Sequence, residues 1–215
     1  MAALSDDERA ALLAVGQRKY FRNKEIIVLQ GGPGDSLFIL TAGVVKVTRS
    51  TESGIDTTLA IRYRGDLIGE VALLADKPRA ATAYAVGNVA TVKITRASFD
   101  AFAKQHREAK DTIMKSIMAK MQESDERLAM RSREAAERLA LVVYNLALAS
   151  PDREADGSVL ITELTQSDVA HLADASRVTA ERFFRDLRDK DILVTGYRKI
   201  TVRDMDMLEK LVTHR

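Results

Sequence analysis

Short apolar, β-branched runs bounded by turn residues occupy the chain from about Lys19 to Thr95. They are Ile26–Leu29, Leu37–Leu40, Val44–Thr48, Thr57–Ile61, Ala83–Val86 and Thr91–Thr95. Between them stand Gly31-Gly-Pro-Gly-Asp35, Gly43, Ser53-Gly54, Gly65-Asp66, Gly69 and Gly87-Asn88. That spacing predicts an antiparallel barrel or roll. Ahead of it, Ser5-Asp-Asp-Glu8 has the form of a capping box, and Leu12, Leu13 and Val15 continue a short helix. Past Ser98 the period changes to 3.6. Met114, Ile117, Met121, Ser124 and Leu128 alternate in steps of three and four. This predicts a helix from about Glu108 to Arg131 whose narrow apolar seam meets a partner helix. A second helix, about Glu134 to Ala149, has the wider apolar face of a core element. The stretch from Ser150 to Gly157 is a polar linker.

The C-terminal pattern is more specific. Thr165-Gln-Ser-Asp168 caps a short helix through Ala173, Asp174-Ala175 turns, and Ser176 is a good N-cap for a helix over about 177–190. There Ala180, Phe183, Phe184 and Leu187 share one face, while Arg177, Val178, Glu181, Arg182, Arg185 and Arg188 lie opposite. Ile192–Thr195 and Lys199–Val202 flank a Gly196-Tyr-Arg198 turn, which predicts a hairpin. Two short helices, a tight turn, a basic outer face and a hairpin describe a winged helix-turn-helix. On an arbitrary amphipathic helix these arginines would be a solvated face; the surrounding pattern favours DNA. Arginine forks match guanine O6 and N7, and Arg198 and Lys199 suit phosphates. The candidate DNA-binding set is Thr165, Ser176, Arg177, Val178, Glu181, Arg182, Arg185, Arg198 and Lys199.

Composition narrows the chemistry. The 215 residues include no Cys and only three His, at positions 106, 171 and 214. Disulfides, thiol nucleophiles and cysteine-held iron–sulfur clusters are therefore excluded, and no metal-ligand spacing is present. No nucleophile–base pair suggests an enzyme. The longest apolar stretch, Leu139 to Ala149, is about half of the ~20 residues a membrane helix needs. With no basic-then-apolar leader, the expected setting is cytoplasmic, with no membrane partner. The net charge of +2 decides nothing about nucleic acid.

The segment from Gly69 to Thr82 carries a further set of candidates. Gly69 and Glu70 follow a strand, Pro78 ends a short helical turn, and Arg79 precedes Ala80 and Ala81. Arg79 would supply a cation for a phosphodiester, the small residues would expose backbone N–H groups, and Glu70 would accept from a ribose hydroxyl. A plain Glu–Arg ion pair in a turn is the competing reading of the same residues.

These motifs together resemble the cyclic-AMP receptor protein/FNR family of regulators over nearly the whole chain. The sensor half shows in Gly31-Gly-Pro-Gly-Asp35, Gly43 and Gly69-Glu70 through Pro78-Arg-Ala-Ala-Thr82, which is similar to the phosphate-binding cassette of cyclic-nucleotide domains. The DNA half shows in Leu164-Thr-Gln, Val169-Ala, Ala175-Ser-Arg, Thr179, Arg182, Leu187 and Leu193. The resemblance implies a ligand site of Gly69, Glu70, Val71, Arg79 and Ala80, with Ser124 and Asp125 of the dimer helix reaching the purine. It implies Arg177 and Arg182 as base readers. The family's intervening Glu is Val178 here, so the operator is expected to differ, and its turn glycine is Asp174, which tolerates left-handed geometry.

The expectation is an α+β chain in three parts: a β-roll sensor over 1–107, a dimerisation helix over 108–132, and a winged helix-turn-helix over 133–215. It would be a homodimeric regulator of transcription that binds a cyclic nucleotide (cyclic AMP favoured, cyclic GMP open, since Asp125 suits either purine) and a palindromic double-stranded operator. RNA polymerase is the implied protein partner, and no metal is required. Two rivals remain: the same DNA role with haem, nitric oxide or another effector, and a nucleotide-binding module that regulates a partner protein.

Overall fold

A computed structural model describes residues 4–51, 54, 56–115, 117–118 and 133–213. The chain divides into two compact units, Met1–Glu126 and Arg127–Arg215.

The first unit opens with α1 (Asp6–Ala14). Ser5 Oγ accepts from the Glu8 N–H and the Glu8 carboxylate accepts from the Ser5 N–H, so the capping box is closed. Six strands follow: β1 (Gln17–Phe21), β2 (Ile26–Val28), β3 (Ser36–Ser50), β4 (Asp56–Arg62), β5 (Leu67–Ile68) and β6 (Thr82–Thr95). All pair antiparallel, in the order β1-β6-β3-β4, with β2 also on β6 and β5 on β3. A short α2 (Glu70–Ala75) lies between β5 and β6, and α3 (Arg96–Gln105) follows β6.

The expected strands 37–40 and 44–48 are one continuous β3, and 83–86 and 91–95 are one β6. Gly43 and Gly87 do not end strands; they form a bulge. Ala42 pairs with Ala90 and Val44 with Val86, so Gly87, Asn88 and Val89 face the single Gly43. Gly43 has φ +86°, and a Cβ there would stand 2.4 Å from the Asn88 carbonyl oxygen.

Alternation along β3 feeds two cores. Leu37 and Ile39 join Val92, Ile94, Leu12, Leu73, Phe99 and Phe102. Phe38 and Leu40 join Ile27, Val45, Ile68, Ala83, Ala85 and Val89 on the other face. Residues 107–115 and 117–118 are helical, and Ala109, Ile113 and Ile117 pack into the first of these cores. This corrects the expected seam: Ile117 belongs to the hydrophobic core of its own unit. Met114 is half-buried and Met118 exposed. Met121, Ser124, Asp125 and Leu128 lie outside the described residues.

The second unit contains α4 (Ala135–Ala149), β7 (Val159–Thr162), α5 (Gln166–Leu172), α6 (Arg177–Asp189), β8 (Leu193–Gly196), β9 (Lys199–Val202) and α7 (Met205–Thr213). Its antiparallel sheet runs β7-β9-β8. The core takes Leu139, Ala140, Val143, Leu146 and Ala147 from α4, and Ala180, Phe183, Phe184 and Leu187 from α6. No helix among the described residues is long and apolar enough to cross a membrane.

Candidate ligand pocket and nucleic-acid interface

Arg79 is the centre of the sensor site. It is 5% exposed. Its Nη1 donates to the Gly69 carbonyl at 2.7 Å, and its Nη2 donates to the Ser36 carbonyl at 2.6 Å and to Ser36 Oγ at 3.2 Å. Asp35 Oδ1 lies 3.6 Å from Nη2. Burial pulls the guanidinium below its ordinary pKa, and the charges of Asp35 and Glu70 oppose that pull.

The loop Gly31–Asp35 braces the same residue through its backbone. The Arg79 N–H donates to the Gly32 carbonyl at 2.9 Å, and the Gly31 N–H donates to the Arg79 carbonyl at 2.8 Å. Gly69 N-caps α2 with φ +78°. A Cβ at Gly69 would stand 2.3 Å from Arg79 Nη1, so the left-handed turn and the seat of the guanidinium both require glycine here.

Glu70 opens α2 and is buried, at 8% exposure. Among the described residues no donor reaches its carboxylate, and the Glu70–Arg79 relation is one of charge alone, with no ion-pair contact. Ala80 and Ala81 donate no backbone hydrogen bond among the described residues. Val71 is 46% exposed. The structure thus gathers Gly69, Glu70, Val71, Arg79 and Ala80 in one place. Sequence reasoning passed over Asp35 and Ser36 as site residues; a carboxylate in a glycine-rich loop was the available signal.

On the second unit, Thr165 and Asp168 close a capping box on α5, and Ser176 Oγ accepts from the Thr179 N–H at the start of α6. Asp174 takes the turn at φ +49°. Arg138 of α4 clamps that turn: its Nε and Nη2 donate to the carbonyls of Ala173 and Asp174, both at 2.8 Å, and its Nη1 donates to the Arg133 carbonyl at 2.5 Å. The sequence reading missed this role, because no spacing marks a contact between positions 35 and 36 residues apart.

The outward face of α6 carries Arg177, Val178, Glu181, Arg182 and Arg185, all exposed. Arg182 and Arg185 have no hydrogen-bond or ion-pair partner among the described residues. Arg188 turns aside and donates to Thr195 Oγ1 at 3.0 Å. Both wing cations are engaged within the unit: Arg198 with Glu163 at 3.0 Å and Lys199 with Glu154 at 3.2 Å. The exposed group at the wing tip is Tyr197, at 93%. A cleft of about 440 Å³ runs between Thr165, Gln166, Arg177, Glu181, Tyr197 and Arg198. Among the described residues no cluster of acidic and imidazole side chains is placed to hold a metal ion.

Residues 18–106 match the family model of the cyclic nucleotide-binding domain, and residues 137–211 match that of the Crp-like helix-turn-helix domain. The chain belongs to the cyclic-AMP receptor protein/FNR family. It is a transcription regulator, with a cyclic nucleotide-binding domain ahead of a DNA-binding domain.

Within that family, a Thermus thermophilus protein named cyclic AMP receptor protein is 26% identical over 209 residues, spanning 97% of this chain and 94% of its own length. The structure of FixK2 from Bradyrhizobium japonicum superposes with a TM-score of 0.79 at 17% identity, covering 93% of this chain and 98% of that one, and shows the fold. Beyond the family, a Dictyostelium discoideum cAMP-dependent protein kinase regulatory subunit is 38% identical over 96 residues, which is 43% of this chain and 29% of that protein.

Proposed function

We propose that this regulator is a homodimer whose affinity for a palindromic operator is set by a cyclic nucleotide bound at Gly69, Glu70, Val71, Arg79 and Ala80. The observation that carries this reading is the buried, pre-seated Arg79. Three of the five guanidinium donors are used by the protein, and Nε–H and one Nη1–H remain for an anion. The idle N–H groups of Ala80 and Ala81 can complete the phosphate cradle, and the Glu70 carboxylate accepts from a ribose hydroxyl. Relatives named for cyclic AMP, one spanning 97% of this chain and one 43% of it, favour cyclic AMP over cyclic GMP. Ser124 and Asp125 would meet the purine.

Operator contact falls to Arg177, Val178, Glu181, Arg182 and Arg185, supported by the caps Thr165 and Ser176. Arg198 and Lys199 reach phosphates on leaving their carboxylate partners. The protein would act in the cytoplasm, with RNA polymerase as its protein partner, making and breaking no bond.

A non-nucleotide effector is the second reading. It is favoured by the way protein carbonyls satisfy Arg79 without a ligand, as they would a structural arginine. Calorimetric titration with cyclic AMP and cyclic GMP separates the two. Glu70→Gln is the clean probe, because no described group depends on that carboxylate. Nucleotide affinity should fall several-fold, since a charge-assisted hydrogen bond is about twice as strong as a neutral one, while the melting temperature holds. Wild-type protein that binds neither nucleotide at millimolar concentration would overturn the first reading in favour of the second.

A further inference from the structure

A carboxylate on a face of arginines opposes contact with any polyanion, so Glu181 on the outward side of α6 needs a role that offsets its charge. Its Oε1 accepts from Arg177 Nε at 2.8 Å, one helical turn earlier. Arg177 is 82% exposed at its side chain, and neither Nη has a partner among the described residues. Both residues line the cleft beside Tyr197. The pair therefore presents, side by side, a fork of free N–H donors and a carboxylate with an oxygen to spare. In a major groove, such a fork matches O6 and N7 of guanine, and a carboxylate oxygen matches the N4 amino group of cytosine. Val178, 68% exposed, has no polar group and suits only a thymine methyl.

We infer that Glu181 is the specificity-determining acid of this recognition helix: it orients the Arg177 fork and selects a cytosine amino group beside the guanine that Arg177 reads. The inference rests on the DNA-binding reading above and names what that face recognises.

The test is in vitro selection from a randomised duplex library by the full chain, with and without cyclic AMP, using wild type, Glu181→Gln and Glu181→Ala. Wild type should enrich a half-site with guanine and cytosine at neighbouring positions. Glu181→Gln should exchange that cytosine for adenine, because an amide pairs bidentately with adenine N6 and N7. Glu181→Ala should lose roughly ten-fold in discrimination at that position and bind non-operator DNA more tightly. Melting temperatures should match in all three, since an exposed i, i+4 pair contributes little to stability. Identical half-sites from the three proteins would overturn the inference while leaving DNA binding intact. Failure of wild type to enrich any sequence would overturn both.

Discussion

Replacing Gly69 by alanine perturbs the sensor through two separable effects. The first is conformational: φ is +78°, and a left-handed alanine costs about 1–2 kcal/mol. The second is steric. The new Cβ would lie 2.3 Å from Arg79 Nη1 and 3.1 Å from Cζ. That guanidinium cannot swing away freely, because it is buried and held by the carbonyls of Gly69 and Ser36. Displacing it forfeits at least one hydrogen bond from a charged donor, about 1.5–3 kcal/mol. The sum is about 2.5–5 kcal/mol, which for a unit of this size lowers the melting temperature by about 10–20 °C. Gly65→Ala is the control: φ is +93° with nothing within 4 Å of the added Cβ, so it carries the conformational cost alone. Thermal melts by circular dichroism and calorimetric titration with cyclic AMP would be run on both variants. Gly69→Ala should also weaken nucleotide binding by at least about ten-fold, the equivalent of ~1.4 kcal/mol. Equal melting temperatures for the two variants, with nucleotide affinity intact, would refute the reasoning.

Three further outcomes follow from particular contacts. Thr91 Oγ1 is buried in β6 with no hydrogen-bond partner among the described residues, so Thr91→Val should raise stability by about 1 kcal/mol in a denaturant titration. Ile117 packs in the first core while Met118 is 61% exposed; Ile117→Asp should unfold the first unit, whereas Met118→Asp should leave it folded and weaken self-association, both readable by circular dichroism and sedimentation. The Asp156 carboxylate lies below its ordinary value because the hydroxyl and backbone N–H of Ser158 donate to it. Its contribution is present above the unfolded value of 3.8 and is lost as pH falls through the lower folded value, so stability curves of wild type and Asp156→Asn should differ at neutral pH and converge in acid.

The elements legible in the sequence were those whose local signals agree. The Ser5 and Thr165 capping boxes, the Ser176 cap and the apolar face Ala180–Leu187 each involve neighbours within one or two turns, and all formed as read. β1 escaped because Gln17-Arg-Lys-Tyr shows no apolar alternation; it is a strand only through its pairing with β6. The two-residue β5 is likewise made by its partner, β3. Gly43 and Gly87 misled because glycine marks a bulge as readily as a strand end. In the sensor site, the spacing Gly69-Glu70…Arg79 was visible, but the partners of Arg79 at Asp35 and Ser36 are 44 and 43 residues away. Heptad counting put Ile117 on a seam toward a partner, yet Ala109, Ile113 and Ile117 share a stripe that the β-roll itself covers.

The central claim is that nucleotide in the roll controls the grip of α6 on DNA. The direct measurement is fluorescence anisotropy of a labelled, in vitro selected operator titrated with the full chain, at fixed salt, with and without saturating cyclic AMP. Coupling free energies between two sites on one protein typically amount to 5–150-fold in affinity. Wild type should change its operator affinity within that range, and Glu70→Gln should need several-fold more cyclic AMP to reach the same change. Operator affinity that is the same with cyclic AMP, with cyclic GMP and with neither would contradict it.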